Sequence, residues 1–337
     1  MPLGYGTLEL RASGVGGGHH AQRAGILARF CAGLVIMWFK NLTVYRLPAD
    51  WSWSAADLEA ALGRMPLQPC SALQMRSGGW SAPSPSGRLL HSVGEQHLLA
   101  LGIDQKILPA SVIRQEAERR AAEQAESQGF AVGRRQMRAL KLQVADELRA
   151  RALTRRSLTR AWVDAASGWL TVDSASATRA EELVQMLRDT LGSLAVQMFD
   201  TERSVSATLA AWLQRGTPGA FALEQDLELQ SASAEKATVR YRRHPLDGQD
   251  IRAHLAGGKR PTQLGLSWNG RIAFVLTERL QIKRVQFLEM AREREDGGEI
   301  DPLEQFDLDF TVMAGELGRL LADLHRELGG QSERAAA

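Results

Sequence analysis

The densest chemistry in this chain of 337 residues is cationic. Twelve Lys and Arg fall between residues 114 and 160 against six acids, and thirteen fall between 236 and 294 against five. Acids dominate the other two stretches, eleven against four over 161–235 and eleven against three over 295–337. The formal net charge is only +2, so the total conceals a sorted distribution. Cations gathered on one surface create a steering field whatever the sum. Solvated helix faces would explain either block alone. Two separate arginine-rich blocks point instead to a polyanion partner.

Catalytic chemistry has fewer candidates. Asp301, Glu304, Asp307 and Asp309 form the one dense carboxylate group. Such a group could hold a divalent metal for a nuclease. The stronger reading is a helix start, where each acid complements the helix dipole by about 0.3–1 kcal/mol. The seven His are scattered. No phosphate-loop, zinc-protease, paired-cysteine or nucleophile-elbow motif occurs, and Gly257-Gly258-Lys259 lacks the upstream glycine of a phosphate loop. No cofactor and no metal site is expected. Trp51, Trp53 and Trp80 lie in polar surroundings and stay open as base-stacking platforms. The other five Trp suit core packing. Cys31 and Cys70 cannot build a disulfide scaffold, so a reducing cytoplasm is the default. No uninterrupted apolar run reaches the length of about 18 residues that suggests a membrane span.

The elements that must position the cations read as mixed strands and helices. Residues 41–47 alternate like a strand. Ser54 and Asp57 cap a short helix running to about Gly63. Residues 77–88 have loop composition, and 97–103 suit a buried strand. Pro109 opens a helix to Gln128, Gly129 to Gly133 break it, and a second helix runs from Arg134 to Ala150. Residues 158–164 and 168–173 form a hairpin. Helices follow over 178–191 and 205–214, then three strands within 261–287. A long helix from Asp307 to Leu328 repeats Phe310, Met313, Leu317, Leu320, Leu321 and Leu324 at helical spacing. Residues 1–36 read as a disordered extension with Met37 as the natural start, and 331–337 as a tail.

The cations have geometry on this frame. At about 100° per residue, Arg134, Arg138, Lys141 and Arg149 share one arc of their helix. Met137, Leu140, Val144 and Leu148 fill the neighbouring arc, so one side docks and the other presents charge. Arg151, Arg155, Arg156 and Arg160 follow, with Leu153 and Leu158 as apolar points among them. In the second block Arg240, Arg242 and Arg243 lie on a strand and the turn before Pro245, together with Lys236. Lys259 and Arg260 follow a Gly-Gly turn, and Lys283 and Arg284 lie on a late strand. Such cations suit phosphate oxygens and read no bases. A module that binds acidic proteins through the same arginines is the other reading.

Several stretches together resemble the RdgC family of bacterial recombination-associated nucleoid proteins. They are MWFKNLTVYRL (37–47), KILPASVI (106–113), WVDAASGWLTVDSASATRAEELVQMLRDTLGSL (162–194), LAAWL (209–213), GKRPTQLGLSWNGRIAFVL (258–276) and FDLDFTVMAGELGRLLADLHRELGG (306–330). The resemblance implies an α+β fold with sheet-containing body regions over 37–113 and 158–330 and a projecting helical tip over 114–157. It implies a ring-shaped homodimer with a positive central hole, and Leu153 is the expected contact between tips. It further implies a protein that is not an enzyme, acts in the cytoplasm on the nucleoid, binds duplex DNA without sequence preference and restrains the RecA recombinase. This chain uses Arg and Ala freely, and Arg meets phosphate well.

Overall fold

Alternating side chains build the first strand, β1 (Asn41–Arg46), with Leu42 and Val44 facing one apolar cluster and Tyr45 another. The computed structural model describes residues 38–233, 235–288 and 301–330. The extension expected over 1–36 and the tail expected over 331–337 lie outside the described residues. After β1 come α1 (Ala55–Leu62), β2 (Arg76–Ser81), β3 (Leu90–Val93), β4 (Gln96–Lys106), α2 (Ala110–Gln128) and α3 (Arg134–Arg151). Next are β5 (Thr154–Asp164), β6 (Trp169–Asp173), α4 (Ala177–Leu191), β7 (Gln197–Met198), α5 (Val205–Arg215), β8 (Phe221–Ser231) and β9 (Thr238–Tyr241). The chain continues with α6 (Gln249–Ala256), β10 (Lys259–Trp268), β11 (Ile272–Thr277), β12 (Ile282–Phe287) and α7 (Pro302–Glu327). The result is mixed helix and sheet, as expected.

The strands pair antiparallel in one open sheet, in the order β2-β4-β5-β6-β1-β12-β11-β10-β8-β9, with β3 beside β4 and β7 beside β1. Its two faces are covered unequally. One face sends Leu42, Val44, Trp162, Trp169, Leu264, Leu266, Phe274 and Ile282 into a cluster with α5 and α7. The other sends Tyr45, Leu99, Leu101, Val163, Leu170 and Val172 against α1 and α4. These second-face residues all belong to the strands from β4 to β1. The same face over β12, β11, β10, β8 and β9 contributes nothing to that second cluster.

Local chemistry sets the helix ends. Ser54 Oγ accepts the Asp57 N–H at 3.1 Å and starts α1. Gly129 takes the left-handed conformation at φ 79° and ends α2. Helices α2 and α3 form a hairpin between β4 and β5 with its own small cluster, Ala117 and Ala121 packing against Leu140 and Val144. Met137 and Leu148 join it, so the apolar arc of α3 docks as its spacing implies. Arg120 of α2, held by Glu116 on its own helix, ties the pair through Glu147 of α3 at 2.7 Å. Helix α7 starts earlier than the expected Asp307, because Asp301 Oδ1 accepts the Leu303 N–H at 3.0 Å and Pro302 suits the first turn.

Two expectations change. Residues 76–81 form strand β2 rather than a loop. Gly79 is a strand glycine because the 66–67 segment crosses it, and a Cβ there would stand 2.5 Å from the Leu67 backbone. Trp80 is therefore no stacking platform. It is 1% exposed, and its Nε1 donates to Thr190 Oγ1 at 2.8 Å. Trp51 and Trp53 are half-buried against the α1 and α4 cluster. Strand β8 goes beyond the expected elements, although Phe221, Leu223, Leu227 and Leu229 alternate along it with Gln225 as the one break.

Candidate nucleic-acid interface

Two rows of side chains cross the face that α1 and α4 leave uncovered. In the first, Asn41 stands opposite Lys283, Lys283 opposite Val275, and Val275 opposite Gly265. In the second, Thr277 stands opposite Gln263, Gln263 opposite Glu228, and Glu228 opposite Arg240. Directly opposed residues share a face of the sheet. Their strand neighbours Leu276, Ile282, Leu264 and Leu227 point the other way, into the cluster around α7. Asp226, Tyr241, Arg242 and Arg284 also line a cleft of about 310 Å³ on this face.

Two bulges lie along the cleft. Strands β11 and β12 slip register between Ala273 and Val275, and Arg284 adopts φ 54° there. A bulged residue escapes strict alternation. Lys283 and Arg284, adjacent in sequence, thus both reach the cleft. The Arg284 backbone N–H donates to Asn41 Oδ1 at 3.3 Å. Strands β8 and β10 slip between Leu264 and Leu266, which face Leu227 and Leu223. The extra β8 residues fold over Gly265, where an added Cβ would meet Asp226 and Glu224 atoms at 3.2 Å. Asp226, two residues before Glu228, reaches the cleft by the same alternation that sends Leu227 and Leu229 into the cluster around α7.

The charges are partly matched. Arg240 donates to Glu228, with Nε at 2.7 Å, and Arg284 Nη1 lies 2.9 Å from Asp226 Oδ2. Burial alone would push the Glu228 carboxyl up, but hydrogen bonds from Arg240 and Thr262 hold it below the usual carboxylate range. Arg242 and Lys283 form no ion pair among the described residues. The cleft therefore keeps an excess of two positive charges, four cations against two carboxylates.

The remaining expected cations are distributed elsewhere. Arg260 faces Gln230, whose register puts it on the face of the cleft but outside the lining. Lys259 lies on the opposite face, its Nζ 3.2 Å from His254 Nδ1 of α6. Arg243 is exposed beyond β9 at φ 51°. On α3, Arg134 and Arg138 are exposed and Lys141 is half-buried, none with an ion pair among the described residues. Arg149 is held by Asp146 at 2.8 Å. Leu153 is 79% exposed at the junction of α3 and β5. Sequence reasoning missed Asn41, Asp226, Glu228, Gln263 and Gly265. Only cross-strand register brings them to the cleft.

The carboxylates of the 301–309 group serve the start of α7. Asp301 is the cap, Glu304 lies in the first turn, and Asp307 Oδ1 stands 3.4 Å from His91 Nε2. Asp309 is 4% exposed and accepts from Gln305 Nε2 at 2.9 Å. Among the described residues no three metal-ligating side chains gather, and no helix is long and apolar enough to cross a membrane.

Comparison with known proteins adds a second line of observation. A family model described as "Putative exonuclease, RdgC" matches residues 37–331. A protein named Recombination-associated protein RdgC from Cupriavidus pinatubonensis is 47% identical over 296 residues, covering 88% of this chain and 99% of its own. The protein of that name from Cupriavidus necator is 46% identical over 296 residues, with the same coverage of 88% and 99%. One from Dechloromonas aromatica is 43% identical over 299 residues, covering 88% of this chain and 98% of its own.

Proposed function

Since the chain belongs to the RdgC family, we propose that it grips duplex DNA through phosphate contacts without reading base sequence. The observation that carries this reading is the cleft on the uncovered sheet face, where Arg242 and Lys283 stand unpaired among the described residues beside Arg240 and Arg284. Duplex DNA presents one negative charge per about 1.7 Å of axis. Arginine and lysine on a strand surface meet that column at phosphate oxygens, which carry no sequence information. Asn41 and Gln263 add amide donors of the kind that also bond phosphate. The cations of α3 supply a further patch.

The relatives' shared name, recombination-associated protein, supports a role in DNA recombination. Two copies closing as a ring, cations inward and acids outward, would occupy duplex that a RecA filament needs. Recombination and replication-fork processing would then be restrained by occupancy, in the cytoplasm and on the nucleoid. No catalysed step and no cofactor belongs to this mechanism. The exonuclease wording of the family description would call for carboxylates that share a metal. Asp301 instead caps α7, Glu304 lies in its first turn, Asp307 stands beside His91, and Asp309 is buried and bonded by Gln305.

Gel shifts on two unrelated duplexes across a salt series test the reading. Affinity should fall for both alike, with a log–log slope of about −0.9 per neutralised phosphate. A flat salt response would remove the electrostatic basis. The ring is tested at Leu153. At 79% exposure its own fold gains little from it, so Leu153→Asp should leave the melting temperature unchanged. If a second copy covers it, the mass measured by light scattering should drop toward that of a monomer. An unchanged mass would dismiss Leu153 as the contact.

A further inference from the structure

Two carboxylates stand among the cations of the cleft, where a surface built only to hold phosphate would place none. They are not equivalent. Glu228 is the more enclosed, its side chain 13% exposed, and it takes hydrogen bonds from Arg240 at 2.7 Å and from Thr262 Oγ1 at 2.9 Å. Removing Arg240 from it would strand a partly buried charge. Asp226 is 29% exposed, and Arg284 beside it is 55% exposed. Among the described residues the Asp226 carboxylate has only that one bond, at 2.9 Å. An ion pair so open to water is worth little, typically less than about 1 kcal/mol. A phosphate oxygen offers Arg284 the same chemistry as the carboxylate. Asp226 lies over Gly265, where an added Cβ would come within 3.2 Å of its own Cβ.

We propose that Asp226 is an exchangeable partner of Arg284 that attenuates the cleft: an incoming phosphodiester must displace it, while Glu228 keeps Arg240 fixed. The inference rests on the DNA-binding reading given above. Arg242 and Lys283 make the first contact, because neither has a carboxylate to leave. Arg284 then exchanges Asp226 for phosphate. Bound DNA leaves Asp226 close to the backbone, and its charge opposes the grip. Asp226 is thus a positioning residue that sets affinity and salt response. A grip weakened in this way lets the protein yield duplex to a competitor.

The test is duplex binding by fluorescence anisotropy across a salt series. Asp226→Asn should bind about eightfold more tightly at 0.1 M monovalent salt and steepen the log–log slope by about 0.9, because the Asp226 charge no longer offsets one of the phosphates that the cleft neutralises. Asp226→Glu should keep the wild-type slope. The gain should vanish in the double variant D226N/R284A, because Arg284 mediates it. Equal or weaker binding by Asp226→Asn with an unchanged slope would overturn the proposal, provided Arg242→Ala with Lys283→Ala still weakens binding. In that case Asp226 only orients Arg284. If the Arg242 and Lys283 variant binds like wild type as well, the cleft reading itself fails.

Discussion

Replacing Arg242 and Lys283 together by alanine should weaken duplex binding about sixtyfold at 0.1 M salt and flatten the salt slope by about 1.8, the contribution of two neutralised phosphates. The two residues make a clean test because neither is paired among the described residues. Removing them strands no carboxylate, whereas Arg240→Ala would leave Glu228 without its partner. Their loss also touches no apolar cluster, since Arg242 is exposed and Lys283 lies over Val275 on the uncovered face. Two unrelated duplexes should lose affinity equally, because phosphate contacts position a protein without specifying sequence. Arg243, outside the cleft lining, serves as the matched control, and its replacement should cost less. A loss confined to one duplex would reveal base reading, and no loss at all would move the interface away from this face.

How far such a site could be read in the sequence depends on which force placed each residue. The long helix α7 declares itself, because Phe310, Met313, Leu317, Leu320, Leu321 and Leu324 repeat at the helical period and all are buried. Helices α2 and α3 are equally legible, since Gly129 to Gly133 can only break them. The charge blocks identify Arg240, Arg242, Lys283 and Arg284 as candidates by density alone. Their convergence is not legible. It arises from the pairing of β12 with β1 and of β8 with β10, contacts between segments far apart in the chain. Register has no local signature, and a slip of one residue would send each side chain to the other face. The bulge of β12 compounds this at Arg284, where alternation fails. Lys259 illustrates the cost of density as a guide, for it follows the same Gly-Gly turn as Arg260 yet belongs to the opposite face.

Phe310→Ala should destabilise the protein by about 3–5 kcal/mol, the usual cost of deleting a large buried aromatic side chain. Phe310 is 0% exposed and belongs to the cluster that α7 shares with the sheet. Its ring lies edge-on to His91 of β3, centroids 5.2 Å apart, and shares its cluster with Met313, whose Sδ lies 3.3 Å from the Phe39 backbone nitrogen. Burial holds the His91 imidazole below its usual range, with Asp307 pulling weakly upward. The ring is therefore neutral at pH 7, and its packing on Phe310 is apolar. A void there cannot be closed by Ala314 or Met313, which are already buried. A domain of ordinary stability has only about 5–15 kcal/mol to lose, so the urea midpoint should fall by about a fifth or more. A shift below about 1 kcal/mol would mean that α7 repacks freely and does not set the sheet's geometry. The same cluster holds Ile282, Leu276 and Leu264, the backs of the strands whose fronts carry Lys283, Val275 and Gln263. Below its own unfolding transition the variant should still bind DNA with the wild-type salt slope, because the charges of the cleft lie on the far side of the sheet from the cavity. Stability and binding would then separate cleanly, one set by the face beneath α7 and the other by the part of the opposite face that α1 and α4 leave open.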